Sequence, residues 1–228
     1  MRAEDIQAIR ALPGFSVMDD AVFSRMLAVS FLQTFPTGVV LHEQDSLADF
    51  LFVLLSGSAE LTACHGNSEG TVTIYGPGRP FSLAAVISDK PTLACARTIG
   101  PSLALMVPAS ALRSAISECC RFSQAMLVEV SRQNLDLVRE INNQKLRNSA
   151  ERLANWILSS AERVGAERIQ LPFRKRTLAS LLGMTPENLS RTIASLEPHG
   201  VSFHGAAIAI RDAEALRRLA RPTALIDA

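Results

Sequence analysis

Short apolar segments separated by turn residues fill the chain from about residue 31 to residue 107. Many short strands punctuated by glycine and proline predict an antiparallel β-barrel or jelly roll. The expected strands are Phe31–Phe35, Val39–Leu41, Phe50–Leu55, Ala59–Ala63, Thr71–Tyr75, Ala94–Ile99 and Leu103–Val107. The expected turns are Pro36–Gly38, Ser56–Gly57, His65–Gly70, Gly76–Gly78 and Gly100–Pro101.

Helical spacing of apolar residues flanks this β region on both sides. Before it, the stretch from Glu4 to Ser30 is interrupted by Pro13 and Gly14, which predicts two short helices. After it, residues 109 to 143 contain neither proline nor glycine and predict one long helix.

One face of this long helix carries a narrow apolar stripe, which we call the seam. Its residues are Leu127, Val130, Asn134, Leu137 and Ile141. A stripe of this kind predicts a coiled coil between two copies of the chain, and a buried asparagine within it can set the register. The alternative is a helix that packs on its own barrel.

The segment from about residue 149 to 212 predicts helix, turn, helix, helix and then a small hairpin. Ser149 resembles the N-cap residue of a capping box, although the acidic residue Glu151 is two positions further along the chain and a capping box has it three positions further. The later elements are expected at Thr177–Leu182, at Pro186–Leu196 after the Gly183 turn, and at the two wing strands Val201–Phe203 and Ile208–Ile210.

The second and third of these helices form a helix-turn-helix, in which the later helix offers side chains to DNA bases. Thr185 is the expected N-cap of that helix, and its outer face carries Glu187, Asn188, Ser190 and Arg191. Lys175 and Arg176 begin the earlier helix, where they are placed for phosphates. Similar helix pairs occur in proteins that never touch DNA, so a ligand-binding barrel with a protein-binding helical end is an alternative.

Charge is distributed unevenly along the 228 residues, although the net charge is only +1. Residues 1–144 hold 10 Lys/Arg and 14 Asp/Glu, a balance of −4, whereas residues 145–228 hold 13 and 8, a balance of +5. A basic C-terminal third is expected for a segment that contacts a polyanion.

The N-terminal residues, the apolar runs and the cysteines indicate where in the cell the protein is located. Acidic residues stand near the N-terminus where a signal peptide needs an apolar stretch, and no apolar run is long enough to cross a membrane. Cys64, Cys95, Cys119 and Cys120 lack paired spacing, so we expect reduced thiols in the cytoplasm. The sequence contains no phosphate loop, His-Glu metal motif or nucleophile elbow, so we expect that the protein is not an enzyme.

In the order of its parts the whole chain resembles the CRP/FNR family of bacterial transcription regulators. The segment Phe50–Leu61 is similar to the family's barrel signature, and Glu187, Ser190 and Arg191 match the Glu-x-x-Ser-Arg pattern of the FNR branch. The resemblance implies an α+β chain with a cyclic-nucleotide-binding-like barrel at 1–108, a dimerisation helix at 109–146 and a winged helix-turn-helix at 147–228. The segments 143–156 and 176–191 resemble regulators of the NnrR, DNR or FtrB type.

The resemblance also implies partners and a target. A homodimer would bind double-stranded DNA at a two-fold site close to TTGAT and ATCAA, with Glu187 and Arg191 reading a G·C pair and Ser190 contacting a thymine. RNA polymerase is the implied further partner, and activation is the common outcome in this family. No membrane is implied.

The effector is harder to predict. The family's cAMP-binding Glu falls on Leu83, and its phosphate-binding Arg-Ser pair falls near Thr92 and Leu93, so cAMP binding in the usual mode is not expected. Arg97 is the only arginine on that strand, and its direction is open. A pocket for an apolar effector would be lined by Phe81, Ser82, Leu83, Thr92 and Arg97.

Metal cofactors are only weakly indicated. An iron–sulfur cluster is not expected, because no cysteine precedes Cys64 and a cluster needs about four thiolates. Haem is an open alternative, with His42, His65, Cys64 and Cys95 as possible axial ligands. The adjacent Cys119 and Cys120 are either small helix residues or reactive thiols.

Overall fold

The computed structural model describes residues 1–66 and 68–227, and these residues form two compact units. The units are Met1–Gln133 and Asn134–Ala228, and the division between them falls inside the helix Cys120–Leu146. The helices that begin in the first unit are α1 (Ala3–Arg10), α2 (Asp20–Ala28), α3 (Leu83–Ser88), α4 (Ala109–Glu118) and α5 (Cys120–Leu146). A short 3-10 helix, Phe15–Val17, separates α1 from α2, which confirms the expected interruption.

Eight strands of the first unit form two four-stranded antiparallel sheets. These strands are β1 (Phe31–Phe35), β2 (Val40–His42), β3 (Phe50–Ser56), β4 (Ala59–His65), β5 (Ser68–Tyr75), β6 (Pro80–Phe81), β7 (Cys95–Thr98) and β8 (Ser102–Pro108). One sheet has the order β1-β8-β3-β6 and the other β2-β7-β4-β5. The sheets are not joined into a closed cylinder, so the expected barrel is better described as a sandwich.

The seven expected strands lie within one or two residues of the observed ones, apart from the β4–β5 hairpin. There the pairing runs on to His65 opposite Ser68, so both strands extend into the segment expected as a turn. The expected turn also includes residue 67, which lies outside the described residues. Two short elements were not expected: strand β6 and helix α3, whose apolar sequence resembles that of a strand.

Strand β3 is buried on both faces, which explains its unbroken apolar run. Leu51 and Val53 point into a core formed with the helices, which we call the helix-side core. Phe52 and Leu54 point the other way, into the interior of the sandwich. The two cores therefore share one strand.

The long helix expected over residues 109–143 is in fact two helices. Cys119 has extended backbone angles, φ −119° and ψ 101°, which end α4 and allow α5 to begin at Cys120. Leu112 of α4 and Phe122 of α5 are both fully buried in the helix-side core. Packing of both helices against one core thus requires a change of direction that proline and glycine do not mark.

The second unit contains the helix-turn-helix and three strands. Its elements after α5 are α6 (Ser149–Val164), β9 (Arg168–Gln170), α7 (Lys175–Leu181), α8 (Pro186–Leu196), the short 3-10 helix Glu197–His199, β10 (Val201–His204), β11 (Ala207–Ile210), α9 (Ala213–Ala220) and α10 (Ala224–Asp227). The wing hairpin β10–β11 is confirmed, and β9 adds a third strand beside β11.

The start of α6 differs from the expectation by one residue. Asn148 is the N-cap, and its side chain accepts a hydrogen bond from the backbone N–H of Glu151 at 3.0 Å. The Glu151 carboxylate accepts one from the Asn148 N–H at 2.9 Å, which completes a capping box with the usual spacing of three residues. The irregular spacing expected from Ser149 therefore disappears.

No helix in the described part of the chain is long and apolar enough to cross a membrane.

Candidate nucleic-acid interface

The turn that leads into α8 has the conformation that the sequence predicts. Gly183 follows α7 with φ +62°, a left-handed angle that glycine adopts with little strain. The Thr185 hydroxyl then accepts a hydrogen bond from the Asn188 N–H at 3.2 Å, and Pro186 occupies the first position of α8. The direction of α8 is set by these local interactions and by its buried face.

The two faces of α8 differ in their exposure. Leu189, Thr192 and Leu196 are buried, whereas Glu187, Ser190 and Arg191 are exposed. The three exposed residues therefore lie together on the outer face, as the sequence predicts. We call them the reading triplet.

Glu187 is held in its charged form. Hydrogen bonds from its own backbone N–H and from the Thr185 hydroxyl, with the nearby Arg191 charge, lower the pKa of its carboxyl. An ionised carboxylate only accepts hydrogen bonds, which suits the N4 amino group of cytosine. Arg191 can donate two parallel hydrogen bonds to guanine.

Asn188 is placed differently from the reading triplet. Its Nδ2 donates to the Ser149 hydroxyl of α6 at 3.1 Å, and its side chain is partly buried. The structure therefore directs Asn188 toward the body of the unit and not toward the outer face on which the sequence places it. Thr185 is exposed, but its hydroxyl is engaged in capping α8.

Exposed cations surround the start of α7. Lys175 and Arg176 are exposed, as expected, and the Lys175 ammonium lies 5.6 Å from the centroid of the Phe203 ring in the wing. Arg174, which was not among the expected DNA-contacting residues, is the exposed N-cap residue of α7. The run of three consecutive cations in the sequence was the available signal, and together they suit contact with phosphates.

The seam residues are mostly exposed on this single chain. Leu127, Asn134, Leu137 and Ile141 are exposed, and Val130 packs partly against the helix-side core. Other exposed apolar residues on α5 widen the stripe, and they are Val128, Leu135, Val138 and Leu146. Large apolar side chains exposed along one helix indicate an interaction surface.

The structure does not bring the expected effector-pocket residues together. Phe81 stacks on Phe52 in the sandwich interior, with ring centroids 5.4 Å apart, whereas Leu83 is buried in the helix-side core. The Thr92 hydroxyl donates to the Glu43 carbonyl at 2.6 Å and so links two loops. Ser82 is the N-cap residue of α3 and has φ +60°.

Arg97 also lies outside such a pocket. Its neighbour Ala96 is buried in the sandwich interior, and alternate residues of a strand point to opposite faces. Arg97 therefore faces outward, opposite Glu60 on β4. Burial raises the pKa of the Glu60 carboxyl, and the positive charge of Arg97 partly offsets that increase. The direction that the sequence left open is thus away from the interior.

A cyclic nucleotide does not fit these residues. In the usual mode a carboxylate takes the ribose and an arginine takes the phosphate, but here Leu83 is buried in an apolar core and Arg97 faces outward. An anion in the usual position would lack the compensating charge that the family's arginine supplies, because Arg97 faces away from the sandwich interior.

The possible haem ligands differ in their surroundings. His65 and Cys64 are exposed on β4, and Cys95 is buried, which raises the pKa of its thiol. His42 is half-buried beside Phe52, and its Nε2 is 2.5 Å from the Ser82 hydroxyl. Burial lowers the pKa of His42, which favours the neutral ring. Within residues 1–66 and 68–227, no group of three or more His, Cys, Asp or Glu side chains is arranged to hold a metal ion.

Two family models match the chain. The model of the cyclic nucleotide-binding domain matches residues 32–119, and the model of the Crp-like helix-turn-helix domain matches residues 151–219. The matches coincide with the sandwich together with α4, and with the helix-turn-helix with its wing.

Known relatives have the same organisation. The CRP-like cAMP-activated global transcriptional regulator of Mycobacterium tuberculosis is 26% identical over 202 residues, which cover 82% of this chain and 87% of the relative. The structure of FixK2 from Bradyrhizobium japonicum is similar, with TM-score 0.76 and 19% identity over 86% of this chain and all of that one. The c-di-GMP responsive global regulator CLP of Xanthomonas campestris gives TM-score 0.72 and 20% identity over 85% and 99%.

A β-sandwich of the cyclic-nucleotide-binding type followed by a helix-turn-helix with an exposed polar helix defines a DNA-binding transcription regulator. Both family models and the relatives agree on one lineage. The chain belongs to the CRP/FNR family of transcription regulators.

Proposed function

We propose that this protein is a dimeric regulator that reads a palindrome close to TTGAT and ATCAA. The observation that carries the proposal is the reading triplet, which places an ionised carboxylate, a hydroxyl and a guanidinium on one exposed face of α8. In the major groove, the carboxylate suits the N4 amino donor of a C, the hydroxyl suits the O4 acceptor of a T, and the guanidinium suits the O6 and N7 acceptors of a G.

The dimer follows from the geometry of DNA recognition. One recognition helix reads only a few base pairs, and two-fold sites require a second copy about one helical turn, roughly 34 Å, away. The seam supplies the surface for that copy, because its apolar side chains are exposed on the single chain. Burying them between two α5 helices is favoured by the hydrophobic effect.

We propose that the effector differs from that of the named relatives. The mycobacterial relative is named as a cAMP-activated regulator, and CLP is named as a c-di-GMP responsive regulator. In this chain Leu83 and Arg97 argue against the usual nucleotide contacts, so an effector other than cAMP, or none, is proposed. The proposed output is activation of transcription through RNA polymerase. The proposed location is the cytoplasm, where thiols stay reduced, and Cys64, Cys95, Cys119 and Cys120 are all free thiols.

The experiment is a pair of substitutions tested on matched DNA duplexes. Arg191→Ala should weaken binding to the TTGAT/ATCAA duplex by about 1–3 kcal/mol and relax specificity at one base pair, while its binding to random DNA changes little. Lys175→Ala is the control, because loss of a phosphate contact should weaken both complexes equally. Fluorescence anisotropy measures both affinities, and equal losses on both duplexes for Arg191→Ala would contradict base reading.

A further inference from the structure

The side chain of Asn188 joins α8 to the first residue of α6. Its Nδ2 donates to the Ser149 hydroxyl at 3.1 Å, across 39 residues of sequence. Ser149 directly follows the Asn148 N-cap, so its backbone is fixed by the capping box. The hydrogen bond therefore ties the first turn of α8 to a rigid point.

The turn before α8 lies close to the same region of the chain. A Cβ atom placed on Gly183 would lie 3.5 Å from the side chain of Gln144, near the end of α5. Arg152 holds that region in place, because its guanidinium donates to the carbonyls of Gln144 and Arg147 at 3.1 and 2.9 Å. Residues 144–149 thus form a platform for the N-terminal end of α8.

The direction of the reading triplet depends on the rotation of α8 about its own axis. A helix with side chains has a radius of about 5–6 Å, so a rotation of about 15° moves an outer side chain by about 1.5 Å. A hydrogen bond to a base edge tolerates a donor–acceptor range of only about 2.7–3.2 Å. A contact that fixes this rotation therefore influences which base is accepted.

We propose that Asn188 is a positioning residue that sets the rotation of α8 through Ser149 and thereby aims Glu187 and Arg191 at their bases. The proposal rests on the proposed reading of DNA by the triplet. It gives Asn188 a role in specificity without contact to DNA, in place of the base contact expected from the sequence.

The test compares Asn188→Ala, Ser149→Ala and the double variant. Each protein is titrated with the TTGAT/ATCAA duplex, with duplexes changed at the G·C pair, and with random DNA. Each single variant should lower the ratio of cognate to changed-site affinity about 3- to 10-fold, with little effect on random DNA. The double variant should lose no more than the larger single loss, because both changes remove one interaction.

Asn188→Asp separates positioning from direct contact. The Ser149 hydroxyl can donate to a carboxylate at this position, so the link is kept with the donor reversed. We expect the affinity ratio to stay within about twofold of the parent, although the added negative charge weakens binding to all DNA. Ser149→Thr also keeps the hydroxyl and should behave in the same way.

Four outcomes decide the matter. A loss of discrimination in Asn188→Ala with none in Ser149→Ala would overturn the proposal and assign Asn188 a direct contact. A collapse of the ratio in Asn188→Asp, with the fold intact by thermal unfolding, would overturn it too. If Arg191→Ala leaves the ratio unchanged in the same assay, the reading triplet does not select the bases, and the proposed function fails together with the positioning role that rests on it. If Arg191→Ala lowers the ratio but Asn188→Ala and Ser149→Ala do not, only the positioning role fails.

Discussion

Two glycines with nearly equal backbone angles show how the surroundings of a residue decide what it tolerates. Gly57 has φ +85° and Gly78 has φ +87°, so both adopt the left-handed region that strains other residues. A Cβ on Gly57 would collide with Ser102 and with the Pro101 carbonyl, whereas a Cβ on Gly78 would meet no atom within 4 Å.

Gly78→Ala should therefore destabilise the protein by about 1–2 kcal/mol through backbone strain alone. Gly57→Ala carries the same strain and adds a collision worth about 1–3 kcal/mol more. Urea denaturation of both variants measures the difference in the free energy of unfolding. Equal losses would mean that the neighbours of Gly57 move aside without cost.

Asp227 forms an ion pair with the buried guanidinium of Arg147. The two guanidinium NH2 groups donate to the two carboxylate oxygens at 2.6 and 2.7 Å. Partial burial alone would raise the pKa of Asp227, but hydrogen bonds from Arg147 and from the Thr223 N–H outweigh it and hold the pKa of its carboxyl below its ordinary value. The carboxylate is thus stabilised in the folded state.

Asp227→Asn should lower the free energy of unfolding by roughly 1.5–3 kcal/mol at neutral pH. Because the folded pKa is depressed, the contribution is complete above the unfolded pKa and is lost as the pH falls through the folded one. Denaturation curves of both proteins from about pH 7 to pH 3 should therefore converge at the acid end. A constant difference across that range would exclude an ionic contribution.

Residue roles with a local cause were predictable, and roles with a distant cause were not. Thr185 and Gly183 act within four residues of their own positions, so the sequence reveals them. Asn188 meets Ser149 far along the chain, and the direction of Arg97 depends on strand register near a bulge between Val40 and His42. The pattern of apolar and polar residues reveals neither the partner of Asn188 nor the direction of Arg97.

At the scale of elements, the strands were easier to predict than the helix boundaries. Glycine and proline mark most strand ends, but the break at Cys119 arises because α4 and α5 pack on one core. Strand β9 was missed because it has three residues, of which only Ile169 is buried. Helix α9 was missed although Asp212 caps it and Leu216 lies on its buried face.

The seam supports a prediction on α5. Leu137→Glu should give monomers and abolish specific DNA binding, because two carboxylates would face each other across the dimer. Val164→Glu on α6 is the control, since Val164 is 66% exposed and Leu137 is 47% exposed. Sedimentation analysis measures the mass of each protein in solution, and a stable dimer of Leu137→Glu would refute the seam.

At the scale of the whole molecule, the sequence predicted the class of protein but not its signal. The class depends on the order of a strand-rich part, a long helix and a helix-turn-helix, which survives large changes in individual residues. The structure disperses the side chains that the sequence grouped as an effector pocket, such as Phe81, Leu83 and Arg97, so no signal can be assigned from them.

Two-fold binding predicts a dependence on the spacing of half-sites. Inserting five base pairs between TTGAT and ATCAA rotates one half-site by about half a turn, so only one recognition helix can reach its bases. Affinity should fall to that of a duplex with a single half-site. Gel-shift titration compares these duplexes with the parent, and an unchanged affinity would contradict recognition by a rigid dimer.

The position of Leu83 limits how this regulator could be converted to a nucleotide sensor. Restoring a glutamate there would place its carboxylate in the helix-side core, where a charge has no partner and costs several kcal/mol. The first effect of such a change would be a less stable protein, before any ligand is bound. A glutamate at position 83 would therefore require the neighbouring residues of the helix-side core to repack around it, so core packing, and not only the residues that would touch a ligand, limits which signal this fold can accept.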